Sequence, residues 1–141
     1  MPWADLLPLF SRKYKDVLVH AFVFCSNVMI EVGKQWFENR GWVPFPFQVE
    51  TWQAYLQGKS GLVNAPTGSG KTYSLLMPVV LEFMQQYPDY KTRKHNGLRA
   101  IWLTPIRALA KEIELSAQRL IDSMELPWQV GVRSGDTSLK D

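Results

Sequence analysis

The stretch N-A-P-T-G-S-G-K-T-Y, residues 64–73, decides how this sequence is interpreted. Gly68 and Gly70 allow a tight backbone turn in which successive N–H groups point to one side. A short apolar segment, residues 61–66, precedes the turn, and a longer segment with apolar residues at helical spacing follows it. The pattern therefore predicts a buried strand, a glycine turn and a helix, in that order.

The same residues fit the P-loop pattern G-x-x-x-x-G-K-[ST], with Ala65 in the place of the first glycine. In this pattern the turn and the helix N-terminus hold the phosphates of ATP. Lys71 and Thr72 are the predicted catalytic residues, because the lysine places a charge between the β and γ phosphates and the threonine hydroxyl is a ligand for Mg²⁺. The nucleotide-binding residues predicted within this loop are Ala65, Pro66, Thr67, Gly68, Ser69, Gly70, Lys71 and Thr72.

The composition is that of one globular domain. The chain has 141 residues, of which 46% are hydrophobic and 21% charged, and these values exclude a disordered protein. The net charge of +3 permits a polyanionic partner without requiring one. Cys25 is the only cysteine, which excludes an internal disulfide and favours a cytoplasmic setting. No run reaches the roughly 18 apolar residues of a membrane span, so no membrane association is expected.

The remaining pattern predicts an α/β fold. Further strands are expected at residues 98–105 and 127–136, and helices at residues 29–41, 48–58, 70–87 and 106–124. Pro78 lies inside the third of these helices and should bend it. Strands and helices alternate from residue 61 onward, which favours a parallel sheet flanked by helices with right-handed crossovers.

Upstream of the glycine turn, the segment G-W-V-P-F-P-F-Q ends at Gln48. It resembles the Q motif of DEAD/DEXH-box helicases, in which an aromatic residue and a glutamine recognise adenine. A carboxamide suits this role, because its C=O and NH₂ groups can pair with N6 and N7 of the base. A glutamine at a helix N-terminus among packing aromatic residues is an equally open interpretation.

Downstream, T-P-I-R-A-L-A-K-E at residues 104–112 is similar to motif Ia of these helicases, often P-T-R-E-L-A, and departs from it at Ile106 and Ala108. In that motif a helix N-terminus and an arginine contact nucleic-acid phosphates. A solvated arginine is the alternative. Residues 130–138 are placed like the glycine-containing motif Ib. The predicted nucleic-acid contacts are Thr104, Pro105, Arg107 and Gly135.

These motifs in this order resemble the ligase-associated, Lhr-like branch of superfamily-two DEXH-box DNA helicases, from about Val32 to the end of the chain. The resemblance implies a RecA-like ATP-binding domain over residues 29–141, with ATP and Mg²⁺ as cofactors and single-stranded or partly duplex DNA as partner. RNA remains open as a partner, and DNA ligase and nuclease partners and a role in DNA repair follow by analogy alone. Residues 1–28 match no family and form an N-terminal extension, with Met29 as an alternative start.

The acidic D-E-x-H box of these helicases is expected after residue 138, and the sequence contains no Asp-Glu pair. The fold expected is therefore a partial RecA-like domain, truncated before the DEXH strand, that does not hydrolyse ATP by itself. Two alternatives stay open, another P-loop enzyme such as a small kinase and a non-catalytic nucleotide-binding module. The basic loop K-T-R-K-H-N-G, residues 91–97, could contact phosphates in any of them or be a solvated loop.

Overall fold

Residues 12–135 are described by the computed structural model of the protein, with side-chain surroundings given from residue 25 onward. Within residues 12–135 the order of elements is four α-helices with one short 3-10 helix between the last two. Their bounds are α1 Arg12–Glu38, α2 Pro46–Leu56, α3 Lys71–Gln86, the 3-10 helix Tyr90–Thr92 and α4 Arg107–Ser123.

Helix α1 ends where the sequence predicts it. Gly41 adopts a left-handed conformation with a φ of +69°, and its N–H donates to the Glu38 carbonyl at 2.9 Å, which closes the last turn. At its other end the helix begins at Arg12, so it crosses residues 28 and 29 without a break. A domain boundary after residue 28 stays a prediction.

Helix α2 begins at Pro46, whose fixed φ suits the first turn of a helix. Gln48, in the same turn, accepts a hydrogen bond from the N–H of Phe45 at 2.8 Å. Toward the other end, the Tyr55 hydroxyl donates to a carboxylate oxygen of Glu82 on α3 at 3.2 Å. Burial and the neighbouring Glu82 raise the pKa of Tyr55 to about 12. The tyrosine in this contact between α2 and α3 is therefore uncharged.

The core lies where α1, α2 and α3 meet. Trp52 of α2 is fully buried there, and Gly33 of α1 lies directly above its ring. A Cβ atom at Gly33 would lie 3.0 Å from a Trp52 ring carbon and 3.3 Å from a Leu81 methyl, so the absence of a side chain permits this close helix contact. The buried core comprises Ile30, Trp36, Phe37, Trp52, Leu56, Met77, Val80, Leu81, Phe83, Leu120, Ile121 and Leu126.

Helix α4 joins this core through hydrophobic and polar contacts. Leu120 and Ile121 are buried, and the Ser123 hydroxyl accepts a hydrogen bond of 2.7 Å from the indole N–H of Trp36. Pro78 is buried within α3, and the helix continues past it to Gln86. The predicted helices are thus confirmed, with ends that differ by a few residues, except that α1 begins at Arg12 and not at residue 29.

The predicted parallel sheet is not confirmed. Within residues 12–135 the three predicted strand segments form no strand ladder. Their apolar side chains are largely exposed, with Leu62 at 93% and Leu103 at 89% of full exposure. The physical reason is that apolar patterning selects segments suited to a sheet, whereas a strand exists only when its N–H and C=O groups pair with a neighbour. The described helices are also too short or too polar to span a membrane.

Candidate nucleotide site

The glycine turn leads directly into α3. Gly68 and Gly70 both have a φ of +80°, a left-handed conformation that favours glycine. Between them, Ser69 folds back on the turn, because its N–H and its hydroxyl both donate to the Pro66 carbonyl, at 3.3 and 2.6 Å. The helix starts at the next residue after Gly70 and has no side-chain cap. The loop is therefore held in shape by hydrogen bonds to its own carbonyl groups.

This turn leaves a group of backbone donors without acceptors. In the described chain, the first N–H groups of α3 with a backbone acceptor are those of Tyr73 and Ser74, both bonded to the Gly70 carbonyl. Unengaged N–H groups at a helix N-terminus next to a left-handed turn form a site suited to a phosphate. The N–H groups that donate to no acceptor among the described residues are those of Thr67, Gly68, Gly70, Lys71 and Thr72.

The Lys71 side chain folds back over the loop. Its ammonium donates to the carbonyl of Ala65 at 2.5 Å and to that of Pro66 at 2.7 Å. The positive charge is thus held beside the loop at the helix N-terminus, where an anion would also be stabilised. The next residue, Thr72, has a half-exposed hydroxyl without a hydrogen bond in the described part of the chain, which fits a hydroxyl able to bind Mg²⁺. These residues together fit a magnesium-bound polyphosphate.

Gln48 is the contact between α2 and the loop. Its side chain is 1% exposed, and both ends of its carboxamide are bonded. The oxygen accepts from the Phe45 N–H at 2.8 Å, and the NH₂ group donates to the Gly70 carbonyl at 3.0 Å. The sequence motif assigns this side chain to adenine and gives no indication of the loop contact. Its role in adenine recognition stays a prediction.

Aromatic side chains lie next to this glutamine. Phe45 and Phe47 stack with ring centroids 6.0 Å apart, and Phe45 is 54% exposed. Trp42 is also exposed and lies 6.1 Å from the ring of Tyr73 in the first turn of α3. Sequence reasoning includes these rings in the Q-motif segment without naming them as site residues. Only the structure shows that these rings are exposed beside the loop, which is what indicates them as site residues.

The predicted nucleic-acid residues form a second group. Thr104, Pro105 and Arg107 lie at the start of α4, whose N-cap residue Ile106 provides no side-chain cap. The Thr104 hydroxyl is buried without a hydrogen-bond partner in the described residues. These residues line an open groove together with Arg133 and Ser134, which directly precede Gly135. The glycine turn does not line this groove, and residues 136–138 of the predicted motif Ib lie outside the described range.

A pair of glycine substitutions tests the contact between Gln48 and Gly70. A Cβ atom at Gly70 would lie 2.8 Å from the Gln48 amide nitrogen, whereas one at Gly68 would meet nothing within 4 Å. Gly68→Ala is expected to lower the free energy of unfolding by about 1–2 kcal/mol through its left-handed φ. Gly70→Ala is expected to lower it by about 1–3 kcal/mol more, because it also breaks the partly buried hydrogen bond from the Gln48 amide to the Gly70 carbonyl. Urea unfolding measures both.

The Gln48→Ala background provides the control for this pair. Without the glutamine amide, Gly70→Ala and Gly68→Ala should lower the free energy of unfolding by equal amounts, since only the backbone strain remains. If the two substitutions lower the free energy of unfolding equally in the wild-type background, the contact between Gln48 and Gly70 is contradicted.

Comparison with known protein families gives a clear assignment. The family model described as DEAD/DEAH box helicase matches residues 45–141, which is more than half of the chain. The chain belongs to the DEAD/DEAH box helicase family. Helicases of this family are ATP-dependent enzymes with a RecA-like fold, so the glycine turn, Lys71 and the start of α3 lie in a helicase domain.

Relatives among characterised proteins agree with the family. The Lhr helicase/probable uracil glycosylase of Mycolicibacterium smegmatis is 32% identical over 114 residues, covering 74% of this chain and 7% of that protein. The Lhr helicase/uracil glycosylase of Escherichia coli is 26% identical over 127 residues, covering 82% of this chain and 8% of that protein. The ATP-dependent RNA helicase DBP9 of Ajellomyces capsulatus is 39% identical over 74 residues, covering 52% and 12%.

The chain therefore spans less than a tenth of the length of these two Lhr helicases. No solved structure matches this helicase chain significantly. The resemblance to the Lhr branch inferred from the motifs is confirmed by these relatives.

Proposed function

We propose that this chain is the ATP-binding part of an ATP-dependent DNA helicase and that residues 64–73 hold Mg²⁺–ATP. The observation that carries the proposal is the set of five unengaged N–H groups around the glycine turn, with the Lys71 ammonium beside them. Backbone donors, a helix N-terminus and a point charge together are what a triphosphate requires. Thr72 would provide a hydroxyl ligand for Mg²⁺, which would supply positive charge to the β and γ phosphates.

In this proposal Lys71 exchanges one partner for another. Its ammonium leaves the carbonyls of Ala65 and Pro66 and binds phosphate oxygens, whose negative charge attracts it more strongly. The two carbonyls then bond to water, because both residues are at least partly exposed. Nucleotide binding is therefore accompanied by a rearrangement within the loop.

Gln48 has two roles in the proposal. It holds the Gly70 carbonyl in the state without nucleotide, and it reads the adenine edge when ATP is bound, as the Q-motif resemblance implies. Reading adenine needs at least one of its two present hydrogen bonds to be exchanged for one to the base. Phe45 is close enough to Gln48 in the chain to cover the base, and its exposed ring suits stacking.

The nucleic-acid contacts are proposed for the groove at the start of α4. Thr104, Pro105 and Arg107 provide a polar edge, an uncapped helix N-terminus and a guanidinium. Gly135, which follows the lining residue Ser134, would add a backbone N–H. These groups suit phosphate contacts rather than base reading. Single-stranded or partly duplex DNA is the proposed partner on the Lhr resemblance. The proposal also includes a role in DNA repair with ligase and nuclease partners and a cytoplasmic location. For the fold, it includes a parallel sheet and a domain over residues 29–141.

Hydrolysis by residues 1–141 alone is not expected. The sequence has no Asp-Glu pair, and phosphoryl transfer to water needs an acidic group to hold Mg²⁺ and orient the water. The expected result is nucleotide binding without turnover in a phosphate-release assay. DNA-stimulated hydrolysis that disappears in Lys71→Ala would contradict this prediction.

The test of the proposed function is a titration of this chain with fluorescent ATP and GTP analogues in the presence of Mg²⁺. Saturable binding with a preference for adenine is expected. Gln48→Ala should reduce the preference, and weaken ATP binding by about tenfold, because one buried hydrogen-bonding group is lost. Gln53→Ala is the matched control, since Gln53 lies on α2 but is exposed. Equal binding of both nucleotides by the wild-type chain would refute the adenine role, and no binding would refute the site.

A further inference from the structure

The Trp36 side chain, near the end of α1, contacts both α3 and α4. It is buried, with 4% of its surface exposed. Its indole N–H donates to the hydroxyl of Ser123, the last residue of α4, at 2.7 Å. Its ring centroid lies 5.1 Å from that of Tyr73, in the first turn of α3. One side chain therefore connects the end of α4 to the helix turn that follows the glycine turn.

Two groups fix the orientation of the Trp36 ring. The Ser123 hydroxyl that accepts from the indole also donates to the Leu120 carbonyl at 3.0 Å, so its own rotation is restricted. The Arg40 guanidinium lies 3.7 Å from the centroid of the indole ring and donates to the Trp36 carbonyl at 3.0 Å. A buried indole with a hydrogen bond and a stacked guanidinium has little rotamer freedom left. Trp36 is therefore a fixed support for the residues that pack on it.

Tyr73 is held by its backbone and by its side chain through different helices. Its N–H donates to the Gly70 carbonyl at 3.1 Å, and its carbonyl accepts from the Trp52 indole of α2 at 3.3 Å. Its ring packs against Trp36 of α1. Tyr73 directly follows the motif residues 65–72. The orientation of Tyr73 therefore affects the direction of the backbone N–H groups that are proposed to hold phosphate.

The contact with Trp36 restrains a motion that the contacts with α2 leave open. The hydrogen bonds from Gln48 and Trp52 hold the first turn of α3 at two points, and a helix held at two points can still rotate about the line through them. The packing of the Tyr73 ring against Trp36 comes from another helix and opposes this rotation. Because several N–H groups must point at one set of phosphate oxygens, a small rotation of the turn weakens all their hydrogen bonds together.

We propose that Trp36 is a positioning residue for the phosphates of the bound nucleotide, and that its hydrogen bond to Ser123 fixes the orientation in which it supports Tyr73. Trp36 and Ser123 act through Tyr73 and do not contact the ligand. The inference rests on the proposed function, because it needs a triphosphate to bind at residues 65–72. Trp36 lies outside the segments that the sequence motifs assign to the nucleotide. Reading of adenine by Gln48 is independent of it.

The test compares the binding of Mg²⁺–ATP with that of Mg²⁺–tripolyphosphate, which has the phosphates without the adenine. Trp36→Phe removes the indole N–H and keeps an aromatic ring, and Ser123→Ala removes the acceptor of the same hydrogen bond. Each variant is expected to bind both ligands about three- to tenfold more weakly and by the same factor, because only the phosphate contacts are affected. The preference for ATP over GTP should equal that of the wild type. A changed preference would overturn the proposal.

Conservative and matched variants provide the controls. Ser123→Thr keeps a hydroxyl and should restore the affinity of the wild type for both ligands. Trp128→Phe removes an indole N–H that has no hydrogen-bond partner in the described residues, so it should leave both affinities unchanged. Because Trp36 and Ser123 share one hydrogen bond, the double variant Trp36→Phe/Ser123→Ala should bind no more weakly than Trp36→Phe alone. Additive losses of affinity would overturn the proposal.

Urea unfolding of the same variants separates positioning from a general loss of structure. If Ser123→Ala lowers the free energy of unfolding but the folded chain binds both ligands as tightly as the wild type, the contact is only structural. The proposal is then overturned and the proposed function stands. If the wild-type chain binds neither ligand, both are wrong. Ser123→Ala gives a result even where Trp36→Phe fails to fold, because it removes a single oxygen from an exposed residue.

Discussion

Lys71→Ala is expected to weaken binding of Mg²⁺–ATP by about 10- to 100-fold, because hydrogen bonds to charged groups contribute about 1.5–3 kcal/mol. The free energy of unfolding should change little, since the carbonyls of Ala65 and Pro66 that lose the ammonium are partly exposed and can bond to water. Titration with a fluorescent ATP analogue, alongside urea unfolding of the same protein, measures both quantities.

Lys111→Ala is the matched control for this lysine. Lys111 also lies in the first turns of a helix, is exposed, and pairs only with Glu114 among the described residues at 2.7 Å. Its removal deletes the same charge without touching the glycine turn, so ATP affinity should stay within a factor of two of the wild type. Equal affinities of Lys71→Ala and the wild-type chain would refute the phosphate site.

Trp52→Ala is expected to lower the free energy of unfolding by about 3–5 kcal/mol. The indole is fully buried between α1 and α3, against Gly33 and Leu81. Its N–H also donates to the Tyr73 carbonyl at 3.3 Å, so the substitution removes a hydrogen bond as well as a large apolar volume. Urea or thermal unfolding followed by circular dichroism measures the loss.

Trp102→Ala deletes the same side chain from an exposed position. Trp102 lies in the predicted second strand and is 37% exposed. While residues 98–105 are unpaired, its replacement should change the free energy of unfolding by less than about 1 kcal/mol. A loss as large as that of Trp52→Ala would show instead that residues 98–105 pack in the proposed parallel sheet.

The helices were predictable from sequence because their signals are local. Apolar spacing and a glycine after the last turn each act within a few residues. The glycine turn was predictable for the same reason, since Gly68 and Gly70 adopt the backbone conformation that the motif implies. The sheet was not, because pairing of strands depends on segments distant in the chain.

The contacts within the candidate site were only partly predictable. The motif brings Gln48 to the site, but its hydrogen bond to the Gly70 carbonyl depends on how α2 packs beside α3. The hydrogen bond from Trp36 to Ser123 likewise depends on where the end of α4 packs against α1. Both are tertiary contacts, for which neither periodicity nor residue spacing provides a signal.

Helix α2 holds the first turn of α3 in place through two hydrogen bonds. Gln48 binds the Gly70 carbonyl, and Trp52, one turn later, binds the Tyr73 carbonyl. Two attachment points on one rigid helix fix both the position and the direction of the chain that they hold. As long as both hydrogen bonds persist, backbone movement on nucleotide binding is expected to be limited to residues 65–69, because the chain from Gly70 onward is then fixed to α2.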